Sequence, residues 1–325
     1  LEVVAINDLT EPQVLAHLLQ YDSNYGPYEK KVTSDNQPQK ANPMVSSVGA
    51  VIVDGQKFPI FAQKDPGQLP WRDLGVDVVL ESTGRFVTTE LASAHLKAGA
   101  KKVIISAPAK DAGITPTFVI GVNHDKYTGQ QVISNASCTT NCISPVIAVL
   151  HGKFGVKKMM MSTIHSYTAE QNLVDGPPPG GKSKDLRRAR SAAENIIPTS
   201  TGATIATTEA IPELKGFLAG MAFRVPTPVG SLSDFTLILN KKTTKEEVNQ
   251  AFVEATKSPI WQHVLEVTND QIVSRDIIGN PHSAIVDLSL TQVVDGDMVK
   301  VIAWYDNEFG YSNRFVEQAV LIGKE

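Results

Sequence analysis

The chain has 325 residues, 42% of them hydrophobic and 20% charged, with 30 basic against 34 acidic side chains for a net charge of −4. At roughly 150 residues per domain this is about two domains with real cores, and it excludes wholesale disorder and a strong overall electrostatic footprint for nucleic acid. Two cysteines are too few for a disulfide framework or a cysteine-rich zinc site, and they point to a reducing, cytoplasmic compartment. No apolar run is long enough for a membrane span. The opening Leu1 to Ile6 is too short for a signal-peptide core and has neither an initiator Met nor a basic flank, so the sequence is expected to begin downstream of its natural start.

The first part alternates short apolar runs with helical patterns. Leu1 to Ile6 reads as a buried strand ending at Asn7 and Asp8, and Val14, Leu15, Leu18 and Leu19 follow at helical spacing behind Pro12. Residues 32–60 read as β structure with a hairpin signal at Asp54-Gly55. Val76 to Leu80 is a second buried strand running into Ser82-Thr83-Gly84, 91–96 is helical, and Val103 to Ile105 is a third strand ending at Ser106. Strands alternating with helices predict a mostly parallel sheet whose ligands bind beyond the carboxyl ends of the strands, where Asp8, Thr83, Gly84 and Ser106 stand.

Gln131 to Ser134 has a strand pattern and Thr140 to Leu150 a helix pattern, which puts Cys138 at a helix start. Unpaired amides and the positive end of the macrodipole favour a thiolate there. Cys142, one turn later, is better explained as a small buried residue. His165 follows the strand Lys158 to Ile164, where an imidazole projects into a cleft and accepts a proton. Cysteine plus histidine is a pairing shared with hydrolases and acyl transferases, although nothing in the sequence supplies a third residue to orient the imidazole.

From about residue 157 the rhythm shifts to long strands, at 158–164, 223–225, 234–239, 283–290 and 298–304, with few helices between. That predicts an α+β domain with a largely antiparallel sheet covered on one side. Three prolines and three glycines within 175–184 predict an irregular surface segment. Phe315, Val316, Ala319, Val320 and Ile322 form a helical stripe at the C-terminus. Arg224 lies in an otherwise apolar strand and needs an acceptor, either a structural carboxylate or a bound phosphate. The basic cluster 184–190 and the run Thr199-Ser200-Thr201-Gly202 supply further anion-binding chemistry.

Ser137-Cys138-Thr139-Thr140-Asn141-Cys142, Thr163-Ile164-His165-Ser166-Tyr167-Thr168, the run from Asn195 to Ala203, Arg224-Val225-Pro226-Thr227-Pro228 and Trp304-Tyr305-Asp306-Asn307-Glu308 together resemble the phosphorylating glyceraldehyde-3-phosphate dehydrogenases. The resemblance covers essentially the whole chain. It implies a Rossmann-type NAD-binding domain over 1–137, with a C-terminal helix over 310–325 packed back on it, and a catalytic domain over 138–309. It implies that Cys138 attacks an aldehyde carbon with His165 as its base, that NAD takes the hydride, and that inorganic phosphate releases the acyl group. Thr168 and Arg224 would hold the substrate phosphate. Ser137, Arg188, Thr201 and Gly202 would hold the attacking one, and Thr139 would be a further substrate- or phosphate-binding residue. Asp8, Thr83, Gly84, Ser106 and Asn307 would contact NAD, with Asp8 on the adenosine ribose and Asn307 on the nicotinamide amide. An acid at position 8 beside Leu9 favours NAD over NADP. A homotetramer without a metal, a membrane or a dedicated nucleic-acid site is the implied state. Erythrose-4-phosphate dehydrogenases fit less well, because this chain keeps His-Ser-Tyr-Thr.

Three features depart from the family pattern. No Gly-x-Gly-x-x-Gly turn occurs, although the family carries one roughly 20 residues before the acid and only seven residues precede Asp8. A sheet without that βα unit is expected to keep two unpaired edges, and a non-catalytic scaffold of the same fold is the alternative reading this absence motivates. The stretches 31–56 and 177–183 differ in length or composition from the family's usual form. Glu170 stands where many relatives have Asp.

Overall fold

A computed structural model describes residues 1–40, 45–111, 113–178 and 185–324. Most of the irregular stretch 177–183, together with Lys184 of the basic cluster, lies outside the described residues, as does 41–44 within the stretch 31–56. The chain forms two compact units, one of residues 1–116, 129–134 and 319–325, the other of residues 117–128 and 135–318.

The first unit contains β1 (Ile6–Asn7), α1 (Pro12–Gln20), β2 (Val32–Asp35), β3 (Gly49–Val53), β4 (Gln56–Phe61), β5 (Val78–Glu81), α2 (Thr89–Lys97), β6 (Lys102–Ile105) and β7 (Val132–Ser134). These strands form sheets ordered β1-β4-β3-β2 and β7-β6-β5, beside two short two-stranded ladders, 21–22 with 26–27 and 39–40 with 46–47. β1 runs parallel to β4, and β5, β6 and β7 are mutually parallel. The β3–β4 hairpin turns at Asp54 and Gly55, with φ of 49° and 85°; both central residues sit in the left-handed region that a tight hairpin turn demands. Thr88 caps α2 by accepting from the Leu91 amide at 3.2 Å, with Glu90 in the first turn and His95 and Lys97 in the last, where the helix dipole favours them.

β1 and β5 each end a sheet. A cavity of about 450 Å³ is lined by residues 1–8 from one side and 78–83 from the other, with Trp71, Val76, His95 and Ala319. The strand expected over Leu1 to Ile6 shortens to Ile6 and Asn7, because only Ile60 and Phe61 offer it a ladder and its other side faces the cavity. The apolar stripe of α1 also departs from expectation: Val14, Leu18 and Leu19 are exposed, while Pro12 and Ala16 face inward.

The second unit contains α3 (Cys138–Phe154), β8 (Val156–Ser166), β9 (Ile197–Ser200), α4 (Ala203–Ala210), β10 (Leu218–Val225), β11 (Ser231–Leu239), α5 (Lys245–Ala255), β12 (Leu265–Thr268), β13 (Ala284–Asp287), β14 (Gln292–Val294), β15 (Met298–Tyr305) and most of α6 (Phe309–Gly323). The sheet order is β9-β10-β8-β11-β15-β13-β12, with β14 beside β15. Only the β8–β10 and β12–β13 pairs are parallel. The Rossmann-type α/β arrangement and the largely antiparallel α+β sheet match the expected fold class.

Period-two alternation decides what this sheet buries. Ser231, Ser233, Phe235, Leu237 and Leu239 of β11 and Val299, Val301, Ala303 and Tyr305 of β15 face a core built with Ile143, Ile147 and Leu150 of α3 and Phe252 of α5. A buried Phe or Ile contributes about 2 kcal/mol each by apolar area. The opposite face carries Met160 and Met221, exposed by 68% and 45%. Asp306 caps α6 by accepting from the Glu308 and Phe309 amides, and its other oxygen accepts from Gly279 N. The last turns of α6 group with the first unit, where the Ile322 carbonyl accepts from Lys102 Nζ at 2.7 Å. Among the described residues no helix is long and apolar enough to cross a membrane.

Candidate active site

β7 ends at Ser134 and α3 begins at Cys138, so three residues must pass from strand to helix. Ala136 does so with φ of 57°, a left-handed conformation costly for a residue with a Cβ, and its carbonyl accepts from Tyr311 Oη at 3.3 Å. Ser137 is the N-cap, its hydroxyl accepting from Thr140 N at 3.1 Å and lying 2.8 Å from Thr140 Oγ1. Cys138 is thus the first helical residue. It is partly exposed, whereas Cys142 is buried, and both are free thiols. Asn141 Nδ2 donates to the carbonyls of Asn135 and Ser137 at 2.9 and 3.0 Å, which ties the elbow to the helix.

His165 is the penultimate residue of β8, inside the strand rather than beyond it, and its Nε2 lies 3.4 Å from Cys138 Sγ. Its Nδ1 lies 2.7 Å from both Ser166 O and Arg224 Nη1. One ring nitrogen cannot accept from a guanidinium and donate to a carbonyl at once. We assign the proton to Nδ1, donating to Ser166 O. Arg224 Nη1 donates to the same carbonyl at 2.9 Å, and Nε2 keeps a lone pair toward the sulfur.

Burial, reinforced by the Arg224 charge, holds the His165 imidazole at about 3. Burial pushes the Cys138 thiol above its ordinary value, against the opposing pull of Arg224 and the Thr139 backbone amide. Burial thus disfavours the charged form of both partners, and at the sulfur it opposes the helix terminus, whose positive end favours a thiolate; transfer of the proton to Nε2 makes the nucleophile.

A chain of hydroxyls backs the pair. Thr163 Oγ1 donates to the Leu232 carbonyl at 3.1 Å, Tyr305 Oη lies 2.8 Å from Thr163 Oγ1, and Thr139 Oγ1 lies 3.0 Å from Tyr305 Oη. Each hydroxyl has one proton, so Thr163 receives from Tyr305 and Tyr305 from Thr139. Thr139 then presents its oxygen lone pairs, not its proton, on the side of Cys138. The Tyr305 ring stands edge-on to His165 with centroids 6.0 Å apart. Tyr305 and Thr163 escaped the sequence reading as site residues, although both lie inside its quoted motifs.

Arg224 is placed by register, opposite His165 on the parallel strand β10. Glu170 Oε1 accepts from Arg224 Nη2 at 3.1 Å and from Arg188 Nη1 at 2.6 Å. Arg188 also donates to Thr199 Oγ1 at 2.8 Å and to Ser200 O at 3.3 Å, which brings it beside the run leading to Thr201 and Gly202. Thr201 Oγ1 accepts from Ala203 N at 3.2 Å, and Gly202 precedes α4 without a side-chain cap. The Thr168 hydroxyl and Arg224 Nε are buried without a partner. Buried donors without a partner, one of them on a guanidinium, are chemically suited to an oxyanion. The bridging role of Glu170 was not legible; its only signal was an acid among polar residues after His165.

Asn307 Oδ1 accepts from Gly230 N at 3.1 Å and Ser231 Oγ at 2.8 Å. The backbone amide can only donate, so the assignment is fixed and the Asn307 amino group is left to donate to a carbonyl such as a carboxamide oxygen. In the first unit, Asp8 follows β1, Thr83 and Gly84 follow β5, and Ser106 follows β6. Asp8 Oδ1 accepts from Thr10 N at 2.8 Å, and Asp8 and Thr83 both line the cavity. Hydroxyl-accepting and carbonyl-donating groups of this kind fit a dinucleotide.

The family model for "Glyceraldehyde 3-phosphate dehydrogenase, C-terminal domain" matches residues 137–307, and that for "Glyceraldehyde 3-phosphate dehydrogenase, NAD binding domain" matches residues 1–89. The chain is 50% identical over 326 residues to "Glyceraldehyde-3-phosphate dehydrogenase 1" of Bacillus subtilis, covering 100% of this chain and 91% of that protein. It is 49% identical over 327 residues to "Glyceraldehyde-3-phosphate dehydrogenase" of Geobacillus stearothermophilus, covering 100% and 92%. The protein of that name from Streptomyces coelicolor is 47% identical over 327 residues, again covering 100% and 92%. A thiol and an imidazole in contact at a helix head, in a chain alike along its full length to these enzymes, make this protein a member of the glyceraldehyde-3-phosphate dehydrogenase family.

Proposed function

We propose that this protein oxidises D-glyceraldehyde 3-phosphate to 1,3-bisphosphoglycerate with NAD and inorganic phosphate, as a step of glycolysis. The observation that carries the reading is the 3.4 Å approach of Cys138 Sγ to His165 Nε2. Cys138 Sγ adds to the aldehyde carbon while its proton passes to Nε2, and the imidazolium returns a proton to the new alkoxide to give a hemithioacetal. NAD, when bound, supplies the hydride acceptor. Nε2 takes the hydroxyl proton as the carbon is oxidised, leaving an acyl thioester on Cys138. A phosphate oxygen attacks that carbon, and the departing sulfur recovers its proton from His165. The Nδ1 bond to Ser166 O keeps one tautomer through every step.

Thr168 and Arg224 are assigned to the substrate phosphate. Ser137, Thr139, Arg188, Thr201 and Gly202 are assigned to the attacking phosphate. The Thr139 hydroxyl proton being committed to Tyr305, Thr139 serves an anion through its backbone amide. Asp8, Thr83, Gly84, Ser106 and Asn307 are assigned to NAD. The two free cysteines suit a cytoplasmic site of action. The open sheet face bearing Met160 and Met221 suits self-association, read here as a homotetramer.

The test is production of NADH and acyl phosphate from the phosphorylated aldehyde. Dependence on both NAD and inorganic phosphate is expected. Ester hydrolysis by Cys138 without either would overturn the reading, as would a folded protein that fails to bind NAD.

A further inference from the structure

A buried hydrogen-bonded chain in the first unit plays no part in the chemistry at Cys138. Trp71 Nε1 donates to His95 Nδ1 at 3.0 Å, His95 Nε2 lies 2.9 Å from Glu81 Oε2, and Glu81 Oε1 accepts from Thr83 N at 2.8 Å and from the Thr83 hydroxyl. Trp71, His95 and Glu81 are all buried. An indole N–H can only donate, so Nδ1 must carry the lone pair and Nε2 the proton, which points at an acceptor-only carboxylate. The chain runs one way, from Trp71 to Glu81, and every polar atom in it is satisfied.

Its free end is the turn after β5. Burial pushes the Glu81 carboxyl upward, but the His95 and Thr83 hydrogen bonds outweigh it and hold the group below its usual value. Thr83 gives its only hydroxyl proton to Glu81, and its oxygen accepts from Arg85 N at 3.1 Å. Gly84 completes the turn with φ of 69°. The chain lines the same cavity as Asp8 and Thr83. A turn at the carboxyl end of a parallel strand is thus held by the buried Glu81 carboxylate just before it, which His95 of α2 and, through His95, Trp71 keep in place.

We propose that Trp71, His95 and Glu81 are positioning residues that pre-form the Ser82-Thr83-Gly84 turn for the dinucleotide, so that breaking the chain weakens NAD binding and spares the chemistry at Cys138. The inference rests on the assignment of Thr83 and Gly84 to NAD. Pre-formed sites bind more tightly because the ordering cost is met before the ligand arrives.

The test compares the parent protein with Glu81→Gln, His95→Leu and His95→Gln in NAD titration, in amide exchange at Thr83 and Arg85, and in alkylation of Cys138. In Glu81→Gln the new amide must face either His95 Nε2–H or Thr83 N–H with a donor, so one bond is lost in either flip. In His95→Gln the amide can still accept from Trp71 and donate to Glu81. The expected result is an NAD Kd raised about tenfold in Glu81→Gln and His95→Leu, with faster exchange at Thr83 and Arg85 and an unchanged rate of Cys138 alkylation. His95→Gln should restore binding to within about twofold of the parent. Parent-like NAD affinity in Glu81→Gln overturns the proposal. So does a loss that His95→Gln shares in full, or one accompanied by an equal loss of Cys138 reactivity, since either marks general destabilisation. A parent protein that binds no NAD sinks the cofactor assignment instead; amide exchange then decides the chain alone, with slow, unchanged exchange in Glu81→Gln overturning it and fast exchange upholding it.

Discussion

Arg224 Nη1 lies 2.7 Å from His165 Nδ1, because the two residues face each other in register on the parallel strands β10 and β8. A permanent cation behind the imidazole adds to burial in keeping the ring neutral. A neutral ring is what a base must be at the moment it takes a proton from sulfur.

The depressed imidazole makes a prediction about acid stability. Burial and the Arg224 charge hold His165 at about 3 in the folded protein, against about 6.5 for a histidine in the unfolded chain. Between those values the unfolded chain binds more protons, so stability rises with pH across that window and is lost as pH falls below 6.5. His165→Asn removes the titration. Acidification from about pH 7.5 to pH 5 should cost the parent about 2 kcal/mol more than the variant. Urea midpoints at the two pH values measure this, and equal losses in both proteins would show that His165 is not held neutral by the fold.

Cys138→Ser should lower turnover by at least about a thousandfold, because a serine hydroxyl is a far weaker nucleophile than a thiol beside the same base. Thermal unfolding should change little, since serine is nearly isosteric with cysteine and its hydroxyl keeps Thr139 and His165 as neighbours. Near-normal turnover would remove the nucleophile assignment.

Arg224→Ala should raise KM for a phosphorylated aldehyde by about a hundredfold, the scale of a lost charge-assisted contact. The KM for an unphosphorylated aldehyde should move far less. The ratio between the substrates isolates the phosphate contact from the loss of the cation behind His165, which both substrates share. Equal effects on both would withdraw Arg224 and Thr168 from the substrate phosphate.

Glu170 occupies the space between Arg188 and Arg224 with one shared oxygen. Its carboxylate is substantially exposed, so each pair contributes little to stability, but any anion drawn to these cations meets a like charge. Glu170→Gln should lower KM for inorganic phosphate severalfold at fixed ionic strength. A raised KM would mean that the carboxylate holds the arginines in place for the anion rather than competing with it.

The start of α3 was legible because its signals are local: a strand pattern, a serine able to cap, then an apolar helical run. The alternating pattern of β11 and β15 was legible for the same reason. The chain's end was placed on the first domain only through the family resemblance, since Ile322 is buried where Lys102 meets its carbonyl, more than two hundred positions away. The α1 spacing marked a helix but not its buried side, because helical spacing of apolar residues states that one face differs from another, not which face the rest of the unit covers.

Composition, capping and periodicity determined the two kinds of sheet and the position of Cys138 at a helix head, because each depends on neighbours within a few residues. Tertiary structure alone decided that His165 Nε2 meets the sulfur, that Arg224 stands behind the ring, that Glu170 bridges two arginines and that Trp71, His95 and Glu81 join in one chain. It also decided how far the thiol and the imidazole are withdrawn from water. Desolvation and partner geometry come from surrounding segments distant in sequence, so no local pattern could have disclosed them.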